Sequence, residues 1–190
     1  MKDPYAPEIK PIVPKPITIN AQKSALFVLE LSQLCGDPEY PASVLVPGIT
    51  KLLERARDAG LLIVFTVPPT FRGKPHGQVF SGFKRKPSEF FFIPNEFDKF
   101  ANGQLQKHLS LYDIDTIILT GYRSNMAILY TATTAVQTYN YKVIIPIDGI
   151  AATTDYEKEY GLYHFRTFPG GYPERFSFTK LDMMDFVVNC

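Results

Sequence analysis

The chain has 190 residues, 45% of them hydrophobic, and its 20 basic and 19 acidic side chains give a formal charge of +1. This length suits one well-buried domain, and so small a charge creates no field that would gather nucleic acid or an anionic membrane. The only cysteines are Cys35 and Cys190, so neither a disulfide framework nor a cysteine-based metal site is indicated. We expect a cytoplasmic protein that binds neither nucleic acid nor membrane.

The N-terminal segment differs in composition from the rest of the chain. Residues 1–16 contain five prolines and little periodicity, which predicts an extended arm over the body of the protein or over a neighbouring subunit. We expect no signal peptide, because this segment is charged and proline-rich, and no membrane span, because the apolar runs elsewhere are short. Residues 17–190 are predicted to form a single α/β domain.

The first half of that domain alternates between strand and helix patterns. Residues 25–29 form a continuous apolar run, typical of a parallel strand covered on both faces, and Glu30 lies at its carboxyl end. A helix is predicted over residues 48–60, where Gly60 suits a left-handed terminus. A second buried strand follows at 61–67. Residues 70–87 form a long loop, a candidate binding element or lid.

The second half continues the alternation. The pattern here predicts a short strand or buried wall at 89–93, a helix at 103–109, and strands at 116–119 and 142–147. A helix that contains His164 is predicted from residue 156. A strand at 176–178 and a closing helix capped by Thr179 are predicted to follow. Strands that alternate with helices indicate a three-layer α/β/α fold. We expect a doubly wound, mostly parallel sheet of about six strands.

Residues 115–135, DTIILTGYRSNMAILYTATTA, are the point around which the chain is organised. A strand ends near Gly121 and a helix begins near Ser124, and such junctions usually carry the function of α/β proteins. The helix is predicted to extend to residue 139, with Ser124 or Asn125 as its cap. One face is predicted to carry Met126, Leu129, Tyr130 and Thr133. Unpaired N–H groups at the helix start can hold an anion or an oxyanion.

Five segments in order resemble the isochorismatase-like hydrolase superfamily. They are residues 25–38, DAGLLIVFT, IPNEFDKFANGQLQKHL, ILTGYRSNMAILYTATTA and VIIPIDGIAA, which together cover roughly residues 17–160. The third is similar to the family's Lys-x-x-x-Ser-Ala-Phe segment, and the fourth to its Gly-x-x-Thr-x-x-Cys signature. The resemblance implies the Rossmann-type fold of that family, and also a cis peptide between Tyr122 and Arg123.

Amidases of this family use an Asp, a Lys and a Cys, and the resemblance implies a replacement at each position. The Asp position is Glu30, the Lys position is Pro94 when Phe100 is matched to the family's Phe, and the Cys position is Ala127. Alanine cannot form a covalent intermediate. With proline in place of the cation, Glu30 in an apolar pocket is expected to have a raised pKa.

The candidate ligand-binding residues surround the same junction: Arg123, Tyr122, Met126, Phe100 and Phe71. Arg123 recognises a carboxylate or phosphate, or else it pairs with Glu30 and seals the pocket. Glu30 is either an acid that contacts a ligand or the partner of a nearby cation such as Arg123. The three histidines lack metal-ligand spacing, and no cofactor is indicated.

Three functional hypotheses follow. In the first, the chain is a homologue without the amidase triad that binds a small molecule or a protein partner at the altered pocket. In the second, it is a hydrolase of isochorismatase type, in which Glu30 acts as general acid or base without a covalent intermediate. In the third, it is a structural subunit of a homo-oligomer. The resemblance favours a dimer or tetramer in any case.

Overall fold

A computed structural model describes residues 11–168 and 173–188 of the chain. Nine strands and four α-helices make up its regular structure within those residues. The strands are β1 (Ile17–Asn20), β2 (Ser24–Leu29), β3 (Leu62–Thr66), β4 (Phe90–Phe92), β5 (Thr116–Tyr122), β6 (Lys142–Pro146), β7 (Ile150–Ala151), β8 (Phe176–Thr179) and β9 (Met184–Val187). The helices are α1 (Val46–Asp58), α2 (Gln104–Leu109), α3 (Leu129–Gln137) and α4 (Asp155–Thr167).

The central sheet confirms the predicted α/β architecture. Its strand order is β4-β3-β2-β5-β6-β8, with the short β7 paired to the end of β5. Every pairing in this sheet is parallel. β2 is buried at all six positions, which explains why its sequence is continuously apolar rather than alternating.

The two faces of the sheet have separate hydrophobic cores. On one face, α1 packs through Ile49, Leu52, Leu53 and Ala56 against alternate residues of β2 and β3. On the other face, the buried residues of α2, α3 and α4 pack against the intervening positions of the same strands. Because β2, β3 and β5 pair in parallel, their carboxyl ends meet at one edge of the sheet. Ligands bind at this edge in open α/β sheets.

Two predictions about local structure are wrong. The helix after the junction begins with a π-helical turn, Ser124–Ile128, without a side-chain cap, and it buries Leu129, Ala132 and Val136 while Tyr130 is 48% exposed. The buried positions are spaced three and four residues apart, which places Leu129 on the buried face and leaves Tyr130 outside it. The closing helix after Thr179 is absent: β9 runs there instead and pairs in parallel with β1.

Residues 1–10 of the predicted arm lie outside the described residues. Residues 11–16 have no regular secondary structure, and the Lys15 N–H donates a hydrogen bond of 3.0 Å to the Phe178 carbonyl. The division into an arm at 1–16 and one domain at 17–190 stays a prediction. Within the described residues, none of the helices is both long and apolar enough to cross a membrane.

Candidate functional site

A cavity of about 290 Å³ opens at the carboxyl edge of the central sheet. Its size is near the lower end of typical small-molecule pockets, which measure roughly 300–1,000 Å³. Mostly apolar and aromatic groups form its walls, together with one carboxylate and one guanidinium. The lining residues are Glu30, Tyr40, Pro68, Thr70, Phe71, Phe97, Tyr122, Arg123 and Ala127.

Glu30 lies directly after β2 and is 2% exposed. Its φ of 64° is in the left-handed region, which costs energy for a residue with a side chain, and the Glu30 N–H donates to the Thr66 carbonyl at 3.0 Å. The carboxylate atom Oε1 accepts a hydrogen bond of 3.0 Å from the Thr66 hydroxyl. The second oxygen, Oε2, is buried and has no hydrogen-bond partner within the described chain.

Lys99 forms an ion pair with Glu30. Its ammonium nitrogen Nζ lies 2.7 Å from Glu30 Oε1, and the two side chains are 0% and 3% exposed. The turn that carries Lys99 is held by α3, because the Lys99 N–H donates to the Thr131 hydroxyl at 3.2 Å and the Thr134 hydroxyl donates to Asp98 at 2.7 Å. These contacts direct the lysine side chain towards the end of β2.

The expectation that no cation lies beside Glu30 because of Pro94 is therefore wrong. Pro94 is buried but does not line the cavity, whereas Lys99, five positions later, supplies the ammonium. A motif match assigns one position to each role. It cannot detect a long side chain that reaches the same point from a different place in the turn. The alternative that Glu30 pairs with Arg123 is also replaced by the Lys99 ion pair.

Burial and mutual attraction act in opposite directions on this pair. Desolvation raises the pKa of Glu30 above its ordinary value, as predicted from the sequence, and the attraction of Lys99 opposes that rise. Desolvation lowers the pKa of Lys99, and the attraction of Glu30 opposes that fall. Burial therefore favours the neutral form of each group, and the ion-pair contact between them favours the charged forms.

The junction after β5 depends on a glycine. Gly121 has a φ of 122°, and a Cβ built on it would lie 2.0 Å from the Leu29 carbonyl oxygen. The absence of a side chain lets β5 approach β2 closely enough to bring the next residues to the cavity. Arg123 follows with a φ of 31°, and its carbonyl accepts hydrogen bonds from the N–H groups of Met126 and Ile128.

The Arg123 side chain is half-buried on the cavity wall. Its guanidinium carbon lies 5.6 Å from the centre of the Tyr122 ring. The Tyr122 hydroxyl and the Thr153 hydroxyl are 3.1 Å apart, and the rings of Tyr40 and Tyr122 are 5.4 Å apart. Burial raises the pKa of Tyr40, so its phenol stays protonated at neutral pH.

Ala127 occupies the remaining wall and is 1% exposed. Its methyl group provides no nucleophile. Cys35, the cysteine within the described residues, is buried in the core on the α1 side of the sheet, and burial raises its thiol pKa to about 12. A thiol with that pKa is almost entirely protonated at neutral pH and unreactive.

The cavity contains five of the eight predicted site residues: Glu30, Ala127, Arg123, Tyr122 and Phe71. Met126 does not line it, and Phe100 is buried in the core with its ring 5.0 Å from that of Tyr139. The roles assigned to the predicted residues stay predictions.

Sequence reasoning missed Lys99 and Tyr40. The lysine stands inside the segment already matched to the family, so a search of its neighbours for a cation would have found it. Tyr40 comes from a segment that carries no motif, and the 3₁₀ turn Pro41–Leu45 that follows it contacts β5 and β7. Within residues 11–168 and 173–188, we find no group of three or more His, Cys, Asp or Glu side chains that could hold a metal ion.

A comparison with models of protein families shows to which family the chain belongs. The isochorismatase domain model matches residues 24–171. The chain belongs to the isochorismatase family. A comparison with curated protein sequences finds no match.

Solved structures of the same fold resemble this isochorismatase-family protein. An isochorismatase family protein from Desulfovibrio vulgaris is 19% identical with a TM-score of 0.72, over 85% of this chain and 95% of that one. A cysteine hydrolase from Pseudomonas syringae pv. phaseolicola is 22% identical with a TM-score of 0.74, over 91% and 94%. An N-carbamoylsarcosine amidase from Thermoplasma acidophilum is 21% identical with a TM-score of 0.71, over 84% and 97%. At these identities the similarity shows the fold alone.

Proposed function

We propose that this isochorismatase-family protein binds a small molecule in the cavity beside Glu30 and does not carry out the covalent amidase step. The observation that carries the proposal is the buried oxygen Oε2 of Glu30, which lies at the cavity wall without a hydrogen-bond partner in the described chain. Leaving a buried acceptor unsatisfied costs about 1–3 kcal/mol. A ligand that donates an N–H or O–H to this oxygen would recover that free energy.

The identity of residue 127 supports the same proposal. The family's amidases place a cysteine at the matching position, and this chain has a buried alanine there. Acyl transfer through a thioester needs a thiolate within reach of the substrate carbonyl. The described chain offers no such group at the cavity, because Cys35 belongs to the core on the α1 side of the sheet.

Binding is tested by a ligand-observed NMR screen of neutral and charged fragments against the purified protein. Fragments that bind the wild type should lose affinity in Glu30→Gln, which replaces one acceptor oxygen by a donor. Glu54→Gln on the exposed side of α1 is the matched control, since it makes the same change away from the cavity. If no fragment binds, or if Glu30→Gln and Glu54→Gln bind all fragments alike, the cavity is not a ligand site.

The ion pair between Glu30 and Lys99 favours a second candidate function, hydrolysis without a covalent intermediate. Family members that cleave a vinyl ether need a proton donor rather than a nucleophile. Burial favours the protonated form of the Glu30 carboxyl, and the Lys99 ammonium beside it is a second group from which a proton can come. In this candidate Lys99 does from its own position what the resemblance assigned to the residue at Pro94. Glu30 then protonates the leaving group as general acid.

Turnover decides between the two candidates. If an activity screen finds a substrate, Glu30→Gln should abolish its turnover. Glu30→Asp, which keeps the carboxyl group, should retain part of the turnover. Thermal denaturation of both variants shows whether the protein is still folded. An unchanged rate in Glu30→Gln would eliminate Glu30 as the general acid or base. Hydrolysis of nicotinamide or of a carbamoyl compound by the wild type would contradict the primary proposal.

Assembly is part of the proposal as well. We propose that the chain forms a homo-oligomer, a dimer or tetramer, with the arm at residues 1–16 in contact with a neighbour, and that it acts in the cytoplasm. A protein partner at the cavity is the alternative to a small molecule. Light scattering of the wild type and of a variant that lacks residues 1–16 tests the assembly: a monomeric wild type would refute it.

A further inference from the structure

The guanidinium of Arg123 is a positive charge without an ion-pair partner among the described residues. Glu30 is the carboxylate that lines the cavity, and Lys99 holds it at 2.7 Å. Arg123 has no ion pair or side-chain hydrogen bond with any described residue. It lies over the Tyr122 ring, and it attracts Glu30 and Tyr40 electrostatically without an ion-pair contact. Glu30, Lys99 and Arg123 together therefore leave one net positive charge at this end of the sheet.

We propose that the cavity selects a small organic acid, whose anionic group contacts Arg123 while an N–H or O–H at its other end donates to Glu30 Oε2. This inference rests on the proposed ligand site and names the chemical class of its ligand. The apolar walls from Phe71, Phe97 and Ala127 suit a short hydrocarbon frame between the two polar ends. The limited volume excludes large ligands.

The backbone at Arg123 supports a role beyond packing. Its φ of 31° and ψ of 99° are outside the common regions for a residue with a side chain, and such conformations are usually kept where function requires them. A guanidinium presents two parallel N–H donors that match the two oxygens of a carboxylate. The protonated phenol of Tyr40 also lines the cavity and can donate a further hydrogen bond to the anion.

Three related probes separate the parts of this inference: 3-aminobenzoate has both the anion and the donor, benzoate has the anion alone, and 3-aminobenzamide has the donor without the charge. Affinities are measured by NMR titration for each probe. For the wild type we expect 3-aminobenzoate to bind about tenfold more tightly than 3-aminobenzamide, as one charge-assisted contact provides.

Two substitutions assign the contacts. Arg123→Gln should remove the preference for the acid over the amide, and Arg123→Lys should keep part of it because the charge remains. Glu30→Gln should remove the preference for 3-aminobenzoate over benzoate. Arg166→Gln on α4 is the control, since it makes the same charge change at a residue that does not line the cavity, and it should leave all three affinities unchanged.

The outcomes separate this inference from the proposed function. If the amide binds the wild type as tightly as the acid, anion selection is overturned while the ligand site stands. If none of the three probes binds at millimolar concentration but neutral fragments do, the inference fails and the proposed site again stands. If neither the probes nor the fragments bind, both fail. An acid preference that persists in Arg123→Gln would assign the anion to another group and overturn the role of Arg123.

Discussion

Replacing Lys99 with methionine tests the buried ion pair with Glu30. The substitution keeps the length and apolar volume of the side chain but removes the ammonium that lies 2.7 Å from Glu30 Oε1. Glu30 is then left with the Thr66 hydroxyl as its hydrogen-bond donor among the described side chains. A carboxylate 2% exposed must then either remain charged without an ion-pair partner, with only the more distant attraction of Arg123, or take up a proton.

The expected cost is large compared with the stability of the fold. Removing one partner of a buried ion pair typically destabilises by about 3–5 kcal/mol, because the remaining charge is uncompensated. A domain has a total free energy of unfolding of about 5–15 kcal/mol. The loss should therefore lower the melting temperature of Lys99→Met by roughly 6–20 °C for a chain of this length.

The dependence of this cost on pH identifies its origin. Without Lys99, burial raises the pKa of Glu30 further above that of the unfolded chain, about 4.3 for a free Glu. A folded-state pKa above the unfolded value stabilises at low pH, and this stability is lost as pH rises through the folded pKa. The difference between wild type and Lys99→Met should therefore be greatest at neutral pH and shrink as pH falls towards about 4.5.

Urea denaturation of four proteins measures these effects: wild type, Lys99→Met, Glu30→Gln and the double variant. The double variant should be more stable than Lys99→Met by about 1–3 kcal/mol, because no unpaired charge remains. Lys51→Met on the exposed side of α1 is the control and should change stability by less than about 0.5 kcal/mol. If Lys99→Met is as stable as the wild type, or if the double variant is no better than Lys99→Met, the buried ion pair is refuted.

Three further substitutions test other parts of the site and fold. Ala127→Cys should gain a thiol that iodoacetamide alkylates faster than the core thiol of Cys35, because residue 127 lines the cavity and Cys35 does not; mass spectrometry of the alkylated protein checks this, and a rate at residue 127 no faster than that at Cys35 would contradict it. Gly121→Ala should lower the free energy of unfolding, measured by urea denaturation, by at least about 3 kcal/mol, because the added Cβ would lie 2.0 Å from the Leu29 carbonyl oxygen. Gly60→Ala is the control: Gly60 also has a positive φ but no neighbour within 4 Å, so the loss there should be about 1 kcal/mol. Burial lowers the pKa of His108, so unfolding takes up a proton and stability should fall as pH drops below about 6.5; His108→Phe should remove this dependence, and equal pH profiles of the two proteins would contradict it.

The alternation of strands and helices was predictable from the sequence, because it depends on local patterns. Residues 25–29 and 61–67 are continuously apolar, and a strand covered on both faces by helices needs no polar side. Gly121 ends one apolar run just before a polar turn, which located the junction where the cavity lies. The predicted doubly wound parallel sheet and the position of Glu30 at its carboxyl edge followed from those patterns.

The tertiary structure decided which groups meet at that edge. Lys99 reaches Glu30 only because α3 holds the turn through Thr131, a contact between residues 32 positions apart. The burial of both charges, and hence the direction of their pKa shifts, depends on side chains from several segments that sequence spacing does not relate. The positive charge left on Arg123 likewise follows from the Lys99 ion pair. A local pattern can therefore place a residue at the site, but only packing in three dimensions determines which charge is neutralised and which is left for a ligand.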